Sequence, residues 1–280
     1  MSVEVKIAIL DLYDGYPNEG MRCIKMLLGQ FTTQNGVKGH YDVFDVRGEN
    51  NFPELVEYDI FISTGGPGSP VVQGAVWESQ YFNFIVSLFE HNEHQENKKH
   101  LFLICHSFQL LVQHFNLGLV CKRMSTSFGV MPVHQTDEGQ NEILFEGLEE
   151  PFWAVDSRDY QVIQPNTENF KKIGAKILAL EKIRPHVPLE RAIMGVRWTN
   201  EIVGFQFHPE ADAEGMQRYF LQADKKIAVI TEHGEDKFEE MIEHLNDPDK
   251  ILLTESIIIP EFLNNALHSI KEFESLSLSL

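Results

Sequence analysis

Three short segments of the chain carry residue types able to perform nucleophilic chemistry together. In LFLICHSFQLL, residues 101–111, an apolar strand ends at Cys105 and a helix begins at once. Such a junction puts the thiol on a sharp bend near the positive end of the helix dipole, a location that lowers a thiol pKa and exposes the sulfur. It is the cysteine counterpart of a nucleophile elbow at the edge of an α/β sheet. Taken alone, the segment also fits a buried cysteine at a strand end. In GFQFHPE, residues 204–210, His208 and Glu210 stand two apart. Side chains at that spacing on an extended chain face the same way, while Pro209 between them ends the strand's hydrogen bonding. His208 would take the thiol proton, and Glu210 would fix the imidazole tautomer and stabilise the imidazolium. In isolation the same segment fits a structural histidine. The third segment is the turn TGGPGSP, residues 64–70, which follows the apolar run YDIFIS. A turn of this kind exposes backbone N–H groups at the carboxyl edge of a parallel sheet, where α/β enzymes hold their ligands. It has neither a Gly-Lys-Ser/Thr ending nor a G-x-G-x-x-G pattern. Donors for a developing oxyanion therefore suit it better than a phosphate cradle.

These segments need a scaffold, and the apolar periodicity predicts one. Residues 5–10 read as a strand, 14–20 as a turn-rich loop and 21–28 as a helix. Residues 41–46 and 58–63 read as two more strands. A helix follows over about 78–89, with Trp77, Tyr81, Phe84, Ile85 and Leu88 at helical spacing, then an apolar strand over 101–104 and a helix over 109–115. Strands alternating with helices imply βαβ units and an α/β fold whose mostly parallel sheet is flanked by helices. From 124 to 183 the rhythm changes to strand-like runs at 128–134, 152–156 and 176–181, which predicts a small antiparallel section. Residues 193–198 and 202–207 read as a hairpin about Thr199-Asn200-Glu201, and its second strand delivers His208.

Composition bounds the partners. The chain has 280 residues, 43% hydrophobic and 11% aromatic, enough for a sizeable core and too apolar for disorder. No stretch approaches the roughly 18 continuous apolar residues of a membrane span. The net charge of −19 repels phosphodiester backbones and anionic membranes, so neither nucleic acid nor membrane is an expected partner. The opening MSVEVKIAILDLYDG lacks the basic flank and apolar run of a secretory signal. Three scattered cysteines are too few for a disulfide framework or a zinc cluster. Both features fit a cytoplasmic protein. Cys23, in the first helix, and Cys121, in the strand after the elbow helix, read as buried and inert. His91 and His94, beside Glu90 and Glu93, read as an exposed loop between a helix and a strand rather than a metal site. Residues 223–280 hold 13 acidic and 5 basic residues. There Phe238, Met241, Ile242 and Leu245, and then Phe262, Leu263, Ala266, Leu267 and Ile270, recur at helical spacing. The chain is thus expected to divide into residues 1–222, which carry the three segments, and an acidic, mainly helical extension over 223–280. That extension serves either as a structural cap or as a surface for a partner or a second copy.

TGGPGSP, ICHSFQ and FQFHPE, in this order, resemble the class I glutamine amidotransferase domain, a resemblance that covers residues 5–221. It implies a flavodoxin-like fold in which Cys105 is the nucleophile, His208 the base and Glu210 the orienting acid. It further implies an oxyanion hole from the backbone N–H groups of Gly66 and His106. Gly65, Gln109 and the stretch Ser127, Phe128 and Gly129 would then hold the substrate, with Ser157-Arg158-Asp159 resembling a loop beside the site. His106 is expected to contribute its backbone alone. The implied substrate is L-glutamine or a γ-glutamyl compound, with no cofactor or metal. A separate synthase subunit would accept the ammonia, and a homo-oligomer is left open. Two readings compete: a free-standing γ-glutamyl peptidase or hydrolase with the same triad, and a regulatory module with a vestigial site. One departure stands out, for the family elbow is usually G-x-C-x-G, whereas this chain has Leu103 and Ser107 at the glycine positions.

Overall fold

The computed structural model describes residues 3–34, 37–185, 187–245 and 247–277. Its strands are β1 (Glu4–Asp11), β2 (Lys38–Asp45), β3 (Ile60–Ser63), β4 (His100–Ile104), β5 (Leu119–Gln135), β6 (Phe152–Ile163), β7 (Lys176–Glu181), β8 (Ile193–Arg197) and β9 (Ile202–Phe205). They form one sheet in the order β2-β1-β3-β4-β9-β8-β7-β5-β6. The pairings from β2 to β9 are parallel, those beyond β9 antiparallel. The α/β class expected from the alternation is what the chain adopts. Its antiparallel section extends further than short hairpins, because β5 and β6 run for 17 and 12 residues.

The helices are α1 (Glu19–Gln34), α2 (Val76–His94), α3 (His106–His114), α4 (Thr167–Ile173), α5 (Ala213–Phe220), α6 (Ala223–His233), α7 (Glu235–Leu245) and α8 (Leu253–Ser277). In β1 the side chains alternate between two cores. Ile7 and Ile9 pack with Ile24 and Leu28 of α1, and Ala8 and Leu10 pack with Tyr81 and Leu88 of α2 and Phe108 of α3. Both faces are covered, which is why β1, β3 and β4 read as unbroken apolar runs rather than as alternation. Ile258, Leu263 and Leu267 of α8 belong to the same core as Ile7 and Phe102. Phe238 and Met241 of α7 join Val130, Val155 and Phe220 in a third cluster. The buried side chains of 223–280 thus sit in cores shared with earlier parts of the chain. Among the described residues, no helix is long and apolar enough to cross a membrane.

Two expectations need correction. The run containing His91 and His94 is not a loop, since α2 continues to His94. Buried Asn92 satisfies itself on the backbone of Lys99, receiving its N–H at 2.7 Å and donating to its carbonyl at 2.8 Å. Cys121 is half-buried rather than buried. The third sheet neighbour explains why: β7 reaches only Val133–Gln135 of β5, so Cys121 is flanked by β6 alone.

Candidate active site

The parallel half of the sheet delivers Cys105. β4 ends at Ile104, α3 starts at His106, and Cys105 between them has φ 48° and ψ −94°. A side chain at positive φ is strained and persists only where its surroundings enforce it. Here the Cys105 N–H donates to the Phe205 carbonyl at 2.8 Å, and the Cys105 carbonyl receives the Gln109 N–H at 3.0 Å. The residues that depart from the family elbow are accommodated locally. Ser107 Oγ receives the Ile104 N–H at 2.9 Å and donates to the Ser63 carbonyl at 2.8 Å, closing the bend. Leu103 pairs across the sheet with Gly204, whose Cβ, if it had one, would stand 2.9 Å from Leu103 Cβ. A glycine on the neighbouring strand thus supplies the room that the elbow strand lacks.

β9 then leads to His208. Beyond Phe205 the chain docks on β6 through the His208 N–H, which donates to the Val155 carbonyl at 2.8 Å. His208 Nδ1 lies 2.8 Å from Oε1 of fully buried Glu210. The same imidazole interacts electrostatically with the Cys105 side chain, and the two line one cleft. Burial disfavours the imidazolium, but the Glu210 carboxylate and the Cys105 sulfur outweigh it and hold the His208 pKa well above its ordinary value. Tyr13 lies close by, its phenol pushed up by burial and by Glu210. The hydroxyl of Tyr13 and Oε2 of Glu210 are both buried without a partner among the described residues.

The glycine turn closes the third side. A Cβ on Gly65 would lie 3.2 Å from His208 Cε1 and 3.8 Å from Cys105 Cβ, and one on Gly66 would collide with the Leu12 carbonyl oxygen at 2.6 Å. Only glycine lets this backbone approach so closely. Among the described residues, the N–H groups of Gly66 and His106 donate to no backbone carbonyl outside regular secondary structure.

Cys105 stands where two clefts meet. One, of about 420 Å³, is lined by Gly66, His106, Gln109, Arg158 and Asp159; the other, of about 750 Å³, is lined by Tyr13, Cys23, His208, Glu210 and Asp212. Phe128 and Ser157 border both. Of the residues that the sequence places at the substrate, Gln109 lines the first cleft and donates to Gln206 Oε1 at 2.8 Å. Gln206 in turn lies 3.6 Å from the Cys105 sulfur. Ser127 and Gly129 line neither cleft. Ser127 donates to Asp156 at 2.7 Å, and Gly129, at φ 118°, packs against Met241. Arg158 is buried and held by Asp156 at 2.8 Å and Glu181 at 3.3 Å, so its guanidinium belongs to an ion network rather than standing free. Cys23 is buried, and desolvation pushes its thiol up to about 12.

Sequence reasoning missed Tyr13, Thr64 and Gln206. Gln206 had a signal, since it stands two residues before His208 on the same side of the chain. Thr64 heads the glycine turn that the sequence singles out, though no role was given to its side chain, and Tyr13, beyond the end of β1, had no signal.

Comparison with known proteins places the fold in a family. A family model described as glutamine amidotransferase class-I matches residues 28–228. A glutamine amidotransferase from Thermotoga maritima is 15% identical with a TM-score of 0.59, covering 92% of this chain and 98% of that one. A glutamine amido transferase from Methylobacillus flagellatus is 14% identical with a TM-score of 0.62, covering 97% and 95%. The glutaminase domain of Trypanosoma brucei CTPS, with bound acivicin, is 15% identical with a TM-score of 0.53, covering 74% and 86%. At these identities the solved structures show a shared fold. No curated protein matches the chain.

Proposed function

Because the chain belongs to the class I glutamine amidotransferase family, we propose that it hydrolyses the side-chain amide of L-glutamine through a thioester on Cys105 and releases ammonia for an acceptor. The observation that carries this reading is the placement of His208, with Glu210 on Nδ1 and Cys105 lining the same cleft beside Gly65. Cys105 Sγ attacks the amide carbonyl carbon as His208 takes its proton. The N–H groups of Gly66 and His106 stabilise the oxyanion that develops. Collapse breaks the C–N bond, and His208 returns the proton to the departing ammonia. Water then attacks the thioester with His208 as base, freeing glutamate and restoring the thiol. Glu210 keeps the imidazole oriented throughout. Gly65, Gln109 and Phe128 shape the substrate's surroundings, with Ser127 and Gly129 acting through the backbone of β5. These residues carry every step of this half-reaction. A separate synthase subunit is the proposed recipient of the ammonia.

A second reading, hydrolysis of γ-glutamyl peptides, is favoured by one feature. The larger cleft opens on the His208 side of the sulfur, leaving space for a leaving group bigger than ammonia. Product release measured across L-glutamine, L-asparagine and γ-glutamyl peptides, with a Cys105→Ala control, tests both readings. Preference for glutamine supports the first, preference for peptides supports the second, and activity that survives in Cys105→Ala rejects both.

A further inference from the structure

Three side chains given no role in the reaction above meet three successive residues of the glycine turn, two of them through its carbonyls. Thr64 Oγ1 donates to the Gly65 carbonyl at 2.8 Å while accepting the Leu12 N–H at 2.9 Å. The His106 ring interacts with the backbone of Gly66, and its buried Nε2 has no partner among the described residues. Arg47 Nη1 donates to the Pro67 carbonyl at 2.7 Å, and its guanidinium lies over the Trp77 ring, 5.4 Å from the centroid. Thr64 and the His106 ring are buried.

The consequence follows from peptide geometry. A trans peptide is planar, so its N–H points opposite to its C=O. Anchoring the Gly65 carbonyl on the Thr64 hydroxyl therefore fixes the direction of the Gly66 N–H. Two adjacent glycines would otherwise let these peptides rotate between orientations at little cost. The Arg47 anchor on the Pro67 carbonyl, with the His106 ring beside Gly66, opposes the compensating rotations on the other side. The anchors come from separate places: Arg47 follows β2, Thr64 follows β3 and His106 opens α3.

We propose that Thr64, His106 and Arg47 are positioning residues that clamp the Gly65-Gly66-Pro67 backbone, so that the Gly66 N–H is held toward the developing oxyanion before substrate arrives. This rests on the reading of Gly66 as an oxyanion donor. It gives the His106 side chain a task beside that of its backbone. Catalysis by such donors depends on their being placed in advance, and a displacement of about 1 Å costs on the order of 100-fold in rate.

The test uses the full chain with L-glutamine, comparing wild type with Thr64→Val, Thr64→Ser and Arg47→Met. Four readouts are needed: kcat, KM, inhibition by the γ-semialdehyde of glutamate, and the pH profile of Cys105 alkylation by iodoacetamide. The semialdehyde forms a tetrahedral adduct on the sulfur and so reports on the oxyanion donors, whereas alkylation reports on the thiol and its base. Thr64→Val and Arg47→Met are expected to lower kcat by about 10- to 100-fold and to weaken semialdehyde binding by a similar factor. KM and the alkylation profile should stay as in wild type, and Thr64→Ser should restore the rate. If Thr64→Val does not fold, Arg47→Met, changed at a partly exposed side chain, decides the matter by the same readouts. An active wild type with folded variants of unchanged kcat overturns the clamp alone, as does a loss accompanied by a shifted alkylation profile. A wild type that releases no Cys105-dependent ammonia overturns the clamp and the underlying reading together.

Discussion

Leu103 and Gly204 are register partners across β4 and β9, and the space a methyl group on Gly204 would need is already occupied by Leu103. The elbow strand ends one residue beyond Leu103, just before Cys105, and β9 ends one residue beyond Gly204 at Phe205, whose carbonyl holds the Cys105 N–H. Side-chain volume at this pair is therefore coupled to the backbone that sets Cys105.

Gly204→Ala should destabilise the protein by about 1–3 kcal/mol, as overpacking in a filled core does, and should lower kcat through displacement of Cys105. Thermal unfolding and turnover check both. Leu103→Ala combined with Gly204→Ala should cost less than the sum of the single changes, because the two sites are in contact. Additive losses would contradict the coupling.

His208→Ala should lower kcat by about 10²- to 10⁴-fold with the fold intact, the usual range for a lost general base. Glu210→Gln should cost less, because the imidazole keeps a hydrogen-bonding partner although the carboxylate charge is gone. Steady-state kinetics beside circular dichroism give the answer; wild-type turnover in His208→Ala would count against the assignment.

Acid should weaken the fold through two imidazoles. Burial, chiefly, holds the pKa of both His100 and His106 down to about 4, while an unfolded histidine titrates near 6.5. The fold favours the neutral ring, so their contribution is complete above about pH 6.5 and is lost as pH falls toward 4, where the unfolded chain takes up the protons first. His208 has the opposite sign. Its raised pKa gives a contribution complete below about pH 6.5 that is lost as pH rises through the folded value. Urea midpoints measured from pH 7 to pH 4 should fall, and His100→Asn should flatten the decline. An unchanged slope in that variant would refute the role of His100.

Leu263→Ala in α8 should cost about 2–5 kcal/mol, since this fully buried side chain shares a core with Ile7 and Phe102. Removing residues 253–277 should expose that core and promote aggregation. Chemical denaturation of the first variant and size-exclusion chromatography of the second provide the measurements; a monomeric truncation of unaltered stability would show that α8 is dispensable.

Much of this arrangement was legible along the chain because the relevant signals are local. An apolar strand meeting a helix marks Cys105, and two-residue spacing puts His208 beside Glu210. The less legible parts depend on contacts between distant segments. Nothing in TGGPGSP announces that Arg47 reaches Pro67 or that Leu12 binds the Thr64 hydroxyl. The polar end of α2 reads as loop because its helical continuation depends on Asn92 finding the backbone of Lys99, seven residues on. The amphipathic pattern of α8 was visible, but not the core it would enter. Leu103 reads as an obstacle at the elbow until β9 is laid beside β4 and Gly204 comes opposite.

The central claim is that Cys105 is the sulfur that acquires the acyl group. The direct measurement treats the full chain with a diazoketone analogue of L-glutamine, then determines the modified residue by peptide mapping while ammonia release is followed in parallel. The account predicts a single adduct on Cys105, slowed by L-glutamine and matched by loss of turnover. An adduct confined to Cys23 or Cys121, or turnover that persists after Cys105 is fully modified, would contradict it.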